Sequence, residues 1–498
     1  MNKNFYITTP IYYPSAKPHM GHAYSSIAAD VIARFKKIEG YNVFFLTGTD
    51  EHGMKIQKAA EKNNQDPQMF CDQITKTFID LTKILNLSNS DFIRTTEERH
   101  KASVIKLWKL LDKNNQIYLS KYAGWYSVSD EAYYSEDEID DINGKKISIS
   151  SGSKVEWMEE ESFFFKLSEW QKPLLQFYKD NPSFIQPESR KNEVISFVEN
   201  GLKDLSISRT TFKWGIPVPN SSKHIMYVWL DALTNYISAT GFFSNSNNFW
   251  PANVHIIGKD ILRFHAVYWP AFLMAANLPL PKIVFGHGWI LSGDEKMSKS
   301  KGNILDPLKL IDEFGSDELR YYLMKDVIFG LDGNINIDNF KLTINDLANN
   351  IGNLSNRIFT ILDNNYDCKV PNISEGYTVN ENLLLNKKDF INTINNFEIH
   401  NYVKKIHSYS SRLNKYVNDN EPWNKKNNSE QNIKNILYST ILGLKNIFIL
   451  LYPITPNASI SFLKSINIQQ EDINLNLINQ AFKNNEKLSK PKILFRKY

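Results

Sequence analysis

The start of the chain alternates strand-like and helix-like segments, and this alternation restricts the possible folds. FYITTPIYY (residues 5–13) is β-branched and aromatic, which is typical of a strand, and YNVFFLT (41–47) is a short apolar run of the kind buried in parallel sheets. Between them, residues 23–39 place apolar side chains on one helical face, and Gly40 follows as a stop signal. Because strand–helix–strand crossovers are right-handed, this unit predicts half of a doubly wound parallel sheet, with ligands at the carboxyl ends of its strands.

Later segments extend this sheet and divide the chain. Strand patterns return at residues 224–233, 254–260 and 282–288, whereas residues 117–214 are aromatic and rich in strand and turn signals. Beyond residue 338 the apolar spacing is helical. We therefore predict an α/β fold, a doubly wound, Rossmann-like parallel sheet interrupted by a β-rich insertion and followed by an all-helical C-terminal domain. The predicted parts are the first half of the Rossmann-like domain (1–115), an inserted connective domain (116–222), the second half (223–290), a loop and linker (291–345) and the helical domain (346–498).

Composition and charge exclude several classes of protein. The chain has 498 residues, and its net charge of +4 does not by itself indicate a nucleic-acid partner. Residues 421–498 contain 11 Lys or Arg against 5 Asp or Glu, which fits either a solvated helical face or a surface that approaches RNA. Two cysteines, Cys71 and Cys368, exclude a disulfide framework or a four-thiolate zinc site and favour a reducing, cytoplasmic compartment. We find no signal segment and no uninterrupted apolar run of about 20 residues, so no membrane association is expected.

Two short motifs together indicate nucleotide chemistry. The segment HMGH (residues 19–22) stands between the first strand and the first helix, where a helix N-terminus attracts phosphate and a glycine permits close approach. Alone, it would equally fit a pair of turn histidines or a metal pair. KMSKS (296–300) lies far downstream between two glycines, and its flexible lysines could follow a pyrophosphate, although lysine-rich segments are usually solvated surface. P-loop and G-x-G-x-x-G motifs are absent from the sequence.

In this combination and order, the two motifs resemble the HIGH and KMSKS signatures of the class I aminoacyl-tRNA synthetases, with Met20 in place of isoleucine. The resemblance narrows to the methionyl members over nearly the whole chain, through TTPIYY (8–13), LTGTDEHG (46–53), YVWLDALTNY (227–236), IIGKDILRFH (256–265) and FGHGWI (285–290). It implies ATP as a substrate, together with Mg²⁺. It also implies catalytic roles for His19, His22, Lys296 and Lys299, within an ATP site formed by His19, Gly21, His22, Lys296, Ser298 and Lys299.

The same resemblance implies a pocket for L-methionine. A flexible thioether side chain suits a slot with aromatic walls, and Asp50, which follows a buried-looking strand, would pair with the substrate ammonium group. For Trp229 and Tyr236 the alternative is ordinary core packing. The insertion of about 100 residues is too short for the editing domain of the valine, isoleucine and leucine members, which supports methionine. The implied pocket residues are Ile11, Tyr13, Asp50, Trp229, Ala232, Leu233, Tyr236, Ile261 and His265.

The insertion and the helical domain carry the remaining implications. Many relatives bind zinc in the insertion through four cysteines, but residues 116–215 contain none, so the chain resembles the zinc-free branch and no structural metal is expected. In the family the helical domain reads the CAU anticodon, at positions that match Asn353, Arg357 and Trp423. Aromatic and Arg or Asn side chains suit unstacked RNA bases, although Trp423 could instead close a helix end. Relatives often have asparagine where this chain has Asp346.

The resemblance thus implies a ligase that activates methionine with ATP and transfers it to the 3′-terminal ribose of tRNA(Met), including the initiator. Two other hypotheses stay open. Another class I ligase or an adenylyltransferase would share the nucleotide motifs but not the pocket at 227–236. A non-catalytic RNA-binding derivative would need neither HMGH nor Lys299. Because the sequence ends soon after the helical domain, we expect a monomer.

Overall fold

The computed structural model of the chain describes residues 3–130, 132–142, 144–244, 249–292, 295–296 and 306–498. At its centre is a six-stranded sheet in which every neighbouring pair is parallel. From edge to edge its strands are Asp91–Arg94, Asn42–Thr49, Asn4–Tyr12, Val254–Gly258, Val284–His287 and Ile185–Gln186. The order reverses between the third and fourth of these strands, which is where doubly wound sheets bind their ligands. The predicted Rossmann-like sheet is confirmed.

The first helix, Met20–Glu39, begins three residues before its predicted start because two histidines cap it. The His19 side chain accepts a hydrogen bond from the Gly21 amide, and the His22 side chain accepts one from the His19 amide. Gly40 ends the helix in a left-handed conformation (φ 102°), as predicted. The predicted apolar face of the helix is buried, at Ile27, Val31, Ile32, Phe35 and Ile38.

Helices cover both faces of the sheet, as a doubly wound fold requires. Successive side chains of a strand point to opposite faces, so Ile7 packs with the first helix while Tyr6 packs in a second core. The first core continues into the C-terminal helices, so the helical region and this face of the sheet share one apolar interior. The helices before residue 276 are Met20–Glu39, Met54–Lys62, Pro67–Ile84, Glu98–Lys113, Gln171–Asp180, Glu188–Glu199, Val228–Leu233, Asn235–Ser238 and Trp269–Ala275.

The insertion is built on antiparallel strands. Its main sheet has the spatial order Leu205–Ser206, Glu156–Phe165, Ile117–Ser127 and Ala132–Tyr134, and a hairpin joins Ile139–Ile142 to Lys145–Ser148. A second small sheet has the order Ser208–Arg209, Ser221–Met226 and Pro217–Val218. Within the range predicted for the insertion, Ile185–Gln186 already adds the edge strand of the central sheet. A strand of two residues carries too little pattern to be recognised in the sequence.

Polar and cation–π contacts connect the strands of the insertion. Asp130 accepts hydrogen bonds from Tyr134 Oη at 2.8 Å and from Ser153 Oγ at 2.8 Å. The buried guanidinium of Arg209 lies 4.4 Å from the ring centroid of Tyr133 and 4.6 Å from that of Tyr227. Across the residues that the structure describes, no group of three or more His, Cys, Asp or Glu side chains is arranged to hold a metal ion.

Helices dominate the described part of the chain after residue 306. Their bounds are Pro307–Phe314, Ser316–Asp326, Ile337–Leu347, Asn353–Tyr366, Lys387–Asn395, Ile399–Asn420, Glu430–Leu451 and Pro456–Ser465. A further strand, Gly333–Ile335, pairs with Ile290–Ser292, which also pairs with Glu295–Lys296. Among the described helices, Glu430–Leu451 alone has the length and composition of a membrane span, but 89% of its apolar window is buried inside the protein. Most of its buried apolar residues belong to the first core.

A buried ion cluster joins the first helix to the helical region. The Asp30 carboxylate accepts hydrogen bonds from Arg34 Nε at 2.8 Å and from Arg320 Nη2 at 2.6 Å. Arg320 also donates to the carbonyl oxygens of Pro453 and Ile454. Burial alone would raise the pKa of Asp30, but the two guanidinium groups keep it below its ordinary value. The helix that carries the HMGH segment is therefore fixed to the C-terminal helices by fully buried charges.

Candidate active site

A cavity of about 410 Å³ lies at the carboxyl ends of the central strands. Its walls come from the end of the first strand and the loop that follows, from the N-terminus of the first helix, and from the ends of strands Val254–Gly258 and Val284–His287. This is the position that the doubly wound fold predicts for a ligand. The cavity brings together His19, Gly21 and His22 with part of the predicted methionine pocket.

His19 and His22 present hydrogen-bond donors at this helix N-terminus. Their rings stack with centroids 3.7 Å apart, and each Nδ1 accepts a backbone N–H at 3.1 Å. A neutral imidazole has one donor and one acceptor nitrogen, so the proton lies on Nε2 of each neutral ring. Burial, followed by the charges of His19 and Lys55, lowers the pKa of His22 well below 6.5. Because both Nδ1 atoms are occupied and the rings are stacked, the two histidines are better suited to donate to phosphoryl oxygens than to bind one metal ion between them.

Gly21 favours this arrangement. A Cβ atom there would lie 3.0 Å from His19 Cε1 and 3.2 Å from His19 Nδ1, so a larger residue would push the ring by a few tenths of an ångström. The glycine therefore does more than allow a close approach by a nucleotide. It makes room for the stacked imidazole above it.

The predicted methionine residues divide into two sets. Ile11, Tyr13, Trp229 and Ile261 line the cavity. The other five do not line it and are buried, namely Asp50, Ala232, Leu233, Tyr236 and His265. Trp229 and Tyr236 are both packed in the second core, in agreement with the core-packing alternative stated for them. Trp229 also forms part of the cavity wall.

Tyr236 and His265 form a fixed pair behind that wall. Tyr236 Oη and His265 Nε2 are 2.7 Å apart, and His265 Nδ1 lies 3.0 Å from the carbonyl oxygen of Ile261. Burial lowers the pKa of His265 to about 4, so the ring is neutral at pH 7. Its Nδ1 must donate to the carbonyl, and its Nε2 therefore accepts from the tyrosine. The pair supports Ile261 from behind and holds an aromatic, uncharged wall in place.

Several cavity residues were missed by the sequence analysis. Gly258, Asp260, His287, Gly288 and Trp289 line the cavity at and after the ends of the strands Val254–Gly258 and Val284–His287. His287 Nε2 lies 2.7 Å from Ser25 Oγ on the first helix, which ties the two sides together. A Cβ on Gly288 would lie 2.3 Å from the backbone of Leu331, so only glycine fits there. The sequence did contain a signal for these residues, because GKD (258–260) and GHG (286–288) stand at the ends of two predicted strands, where ligands bind.

The KMSKS segment is only partly described. The backbone of Lys296 forms the short strand Glu295–Lys296, which pairs with the strand Ile290–Ser292. Ile290 lines the cavity, so this pairing places Lys296 on the strand next to the cavity wall. Ser298 and Lys299 lie outside the described residues.

The three predicted anticodon residues lie in the helical region. Asn353 and Arg357 occupy the first turns of the helix Asn353–Tyr366, and Trp423 follows the helix Ile399–Asn420. The Arg357 guanidinium lies 5.2 Å from the ring centroid of Trp423, which is 47% exposed. Asn353 is also exposed. An arginine next to an exposed tryptophan forms a platform on which an unstacked base could lie.

A row of polar contacts, the polar seam, joins residues 346–357 to the helix Ile399–Asn420, and it begins at Asp346 near the end of the helix Ile337–Leu347. Asp346 accepts hydrogen bonds from His407 at 2.7 Å and from Lys325 at 3.1 Å. Further along, Asn414 Nδ2 donates to Asn350 Oδ1 at 2.7 Å, and Arg357 donates to Asn418 Oδ1 at 3.0 Å. The seam holds residues 346–357 against the helix Ile399–Asn420 and ends at the exposed platform. Asp346, where relatives often have asparagine, is held by a lysine and a histidine.

The comparisons with known proteins agree with this site. The family model for class I tRNA synthetases (M) matches residues 5–145 and 141–359, so the protein is of the class I tRNA synthetase type. Methionine–tRNA ligase of Rickettsia conorii is 49% identical over 95% of this chain and 94% of its own. That of Rhizobium meliloti is 45% identical over 99% and 98%. At these identities the chain belongs to the methionine–tRNA ligase family.

Solved structures give the same result. Mycobacterium tuberculosis methionyl-tRNA synthetase in complex with methionyl-adenylate matches with a TM-score of 0.96 and 39% identity, over 99% of each chain. The free form of the same enzyme matches with a TM-score of 0.89 and 36% identity, over 100% of this chain and 99% of that one. The predicted fold class and family are confirmed.

Proposed function

We propose that this chain activates L-methionine with ATP in the cavity and then transfers the methionyl group to tRNA(Met), including the initiator. The observation that carries the proposal is the pair of imidazole Nε2 donors at the first helix N-terminus, in a cavity that also contains aromatic and apolar residues of the predicted methionine pocket. The cavity can therefore bind the phosphates of ATP next to the thioether side chain of methionine. The family relationship is the second support.

In the first step, the methionine carboxylate attacks the α-phosphorus of ATP in line and pyrophosphate leaves. The protein supplies positioning and charge stabilisation rather than covalent chemistry. Nε2–H of His19 and His22 donate to the α-phosphate oxygens, where charge develops. Lys296 and Lys299 stabilise the departing pyrophosphate. In the second step, the 3′-terminal ribose hydroxyl of the tRNA attacks the adenylate carbonyl and AMP leaves.

Magnesium would accompany ATP, because Mg²⁺ in nucleotide sites binds mainly to phosphates, with one or two protein carboxylates. Asp260 is a carboxylate on the cavity wall that suits this task, and its Oδ1 accepts a hydrogen bond from Trp289 Nε1 at 3.2 Å. The ion would neutralise charge on the β- and γ-phosphates.

ATP–pyrophosphate exchange across a panel of amino acids tests the proposal. We expect exchange with methionine and weak or no exchange with valine, isoleucine and leucine, since the apolar wall suits a long unbranched thioether. Exchange with another amino acid would favour a different class I ligase. Exchange with none would favour a non-catalytic RNA-binding protein or an adenylyltransferase that uses another acceptor.

For the RNA surface, we predict that Trp423→Ala lowers kcat/KM for aminoacylation by about ten- to a hundredfold, because base stacking contributes about 1–3 kcal/mol. Methionine-dependent ATP–pyrophosphate exchange should be unchanged. A tRNA with an altered anticodon provides the control, since wild type and variant should charge it equally poorly. Equal loss in exchange and aminoacylation would instead assign Trp423 a structural role.

A further inference from the structure

A buried carboxylate with two histidine partners lies outside the residues assigned so far. Asp231, which is 1% exposed, has Oδ2 at 2.6 Å from His52 Nδ1 and Oδ1 at 2.7 Å from His100 Nε2. His100 Nδ1 in turn lies 2.9 Å from Ser238 Oγ. An ionised carboxylate only accepts hydrogen bonds, so both imidazole nitrogens that face it are donors. Each of these four residues is at most 3% exposed.

The network joins three elements that build the predicted methionine pocket. His52 is two residues after Asp50, in the loop that follows the strand Asn42–Thr49. Asp231 lies on the helix Val228–Leu233, which carries Trp229, Ala232 and Leu233. Ser238 lies two residues after Tyr236 on the next helix. One carboxylate therefore connects the loop of the predicted ammonium ligand to the helices of the aromatic wall.

The residue between Asp50 and His52 is held by other elements. Glu51, between Asp50 and His52, accepts hydrogen bonds from Arg94 Nε at 2.7 Å and from Thr75 Oγ1 at 2.7 Å. Glu51 thus connects the loop to the strand Asp91–Arg94 and the helix Pro67–Ile84, whereas His52 connects it, through Asp231, to the helix of Trp229. The contact between His52 and Asp231 therefore helps to set the position of the loop relative to the aromatic wall.

Burial alone would raise the pKa of Asp231, but the charge of His52 and the hydrogen bonds from both histidines bring it down to about 2. The group is therefore charged at neutral pH. Replacing the carboxylate by an amide would keep one acceptor oxygen but would turn an NH2 group toward the other buried imidazole N–H, and hydrogen bonds depend on direction more strongly than apolar packing does.

We propose that Asp231 is a positioning residue for methionine binding, which holds the Asp50 loop and the Trp229 helix at the separation that the substrate requires through His52 and His100. The proposal rests on the proposed function. It differs from ordinary core packing because it concerns the methionine side of the cavity and leaves the ATP side unaffected.

Steady-state ATP–pyrophosphate exchange distinguishes a positioning role of Asp231 from ordinary core packing. We expect Asp231→Asn to raise KM for methionine by about tenfold or more while KM for ATP stays within about twofold, because small misplacements of binding groups have large effects. His52→Leu should act in the same way. His52→Asn should restore a KM for methionine near the wild-type value, since its amide nitrogen occupies the position of Nδ1 and can still donate to Asp231.

His224→Leu is the matched control. This histidine is also buried and lies 3.3 Å from the carboxylate of Glu161, but it is in the strand Ser221–Met226 and does not line the cavity. It should leave KM for methionine unchanged. The inference is overturned if folded Asp231→Asn has a normal KM for methionine, or if KM for ATP rises equally. Absence of methionine exchange in the wild-type protein would instead overturn the proposed function itself.

Discussion

His22→Asn is expected to lower kcat for methionyl-adenylate formation by about a hundred- to a thousandfold, the range found when one preorganised donor to a developing charge is removed. The asparagine can still accept the His19 amide hydrogen at the position of Nδ1, so the helix cap is kept. What is lost is the Nε2–H donor toward the cavity. Because this contact strengthens in the transition state, KM for methionine should change little. Single-turnover adenylate formation measures the effect.

His22→Gln provides the control for this prediction, since its amide nitrogen lies near the position of Nε2. It should retain more activity than His22→Asn. Because the pKa of His22 is already far below 6.5, the neutral ring persists at neutral pH, and the rate should show no titration of this residue between about pH 6 and 8. Equal rates in His22→Asn and wild type would remove His22 from the mechanism.

Asp30→Ala is expected to lower the free energy of unfolding by about 3–5 kcal/mol, because it leaves the guanidinium groups of Arg34 and Arg320 buried without their counter-ion. Chemical denaturation followed by tryptophan fluorescence measures the loss. Asp80→Ala is the control, because Asp80 and Lys83 form an exposed pair at 3.9 Å, and such pairs contribute little. A denaturation midpoint for Asp30→Ala equal to that of the control would contradict the role of the cluster.

The same cluster predicts how stability depends on pH. The pKa of Asp30 in the folded protein is below its ordinary value of 3.8. Its stabilising contribution is therefore complete above about pH 4 and is lost as the pH falls through the folded-state value. Wild type should lose more stability than Asp30→Ala over this acid range. Denaturation midpoints at a series of pH values would show whether the two curves converge.

Local patterns in the sequence were enough to predict the elements that carry the site. The apolar spacing of residues 23–39 predicts the first helix and its buried face, and Gly40 predicts its end. The position of HMGH between a strand and a helix predicts a ligand site at the strand ends, which the cavity occupies. Each of these features depends on residues that are close together in the chain, so periodicity and capping rules suffice.

Contacts between distant residues could not be predicted in this way. Asp30 and Arg320 are 290 residues apart, and His52 and Asp231 are 179 apart. An isolated charged residue in a helical pattern is usually solvated, so nothing local marks Arg320 as buried. For the same reason the sequence indicates a methionine pocket near Trp229 but does not show that Tyr236 and His265 lie behind its wall. Only the packed fold brings such partners together.

The polar seam of the C-terminal region has a consequence for evolution. A partly buried donor that loses its acceptor is costly, so a substitution on one side of the seam is tolerated best when its partner on the other side changes too. Asp346 should accordingly covary with His407 and Lys325, and Asn350 with Asn414. Lineages in which asparagine replaces Asp346 should often carry uncharged residues opposite it. In this region we therefore expect selection to act on pairs of contacting residues rather than on single residues.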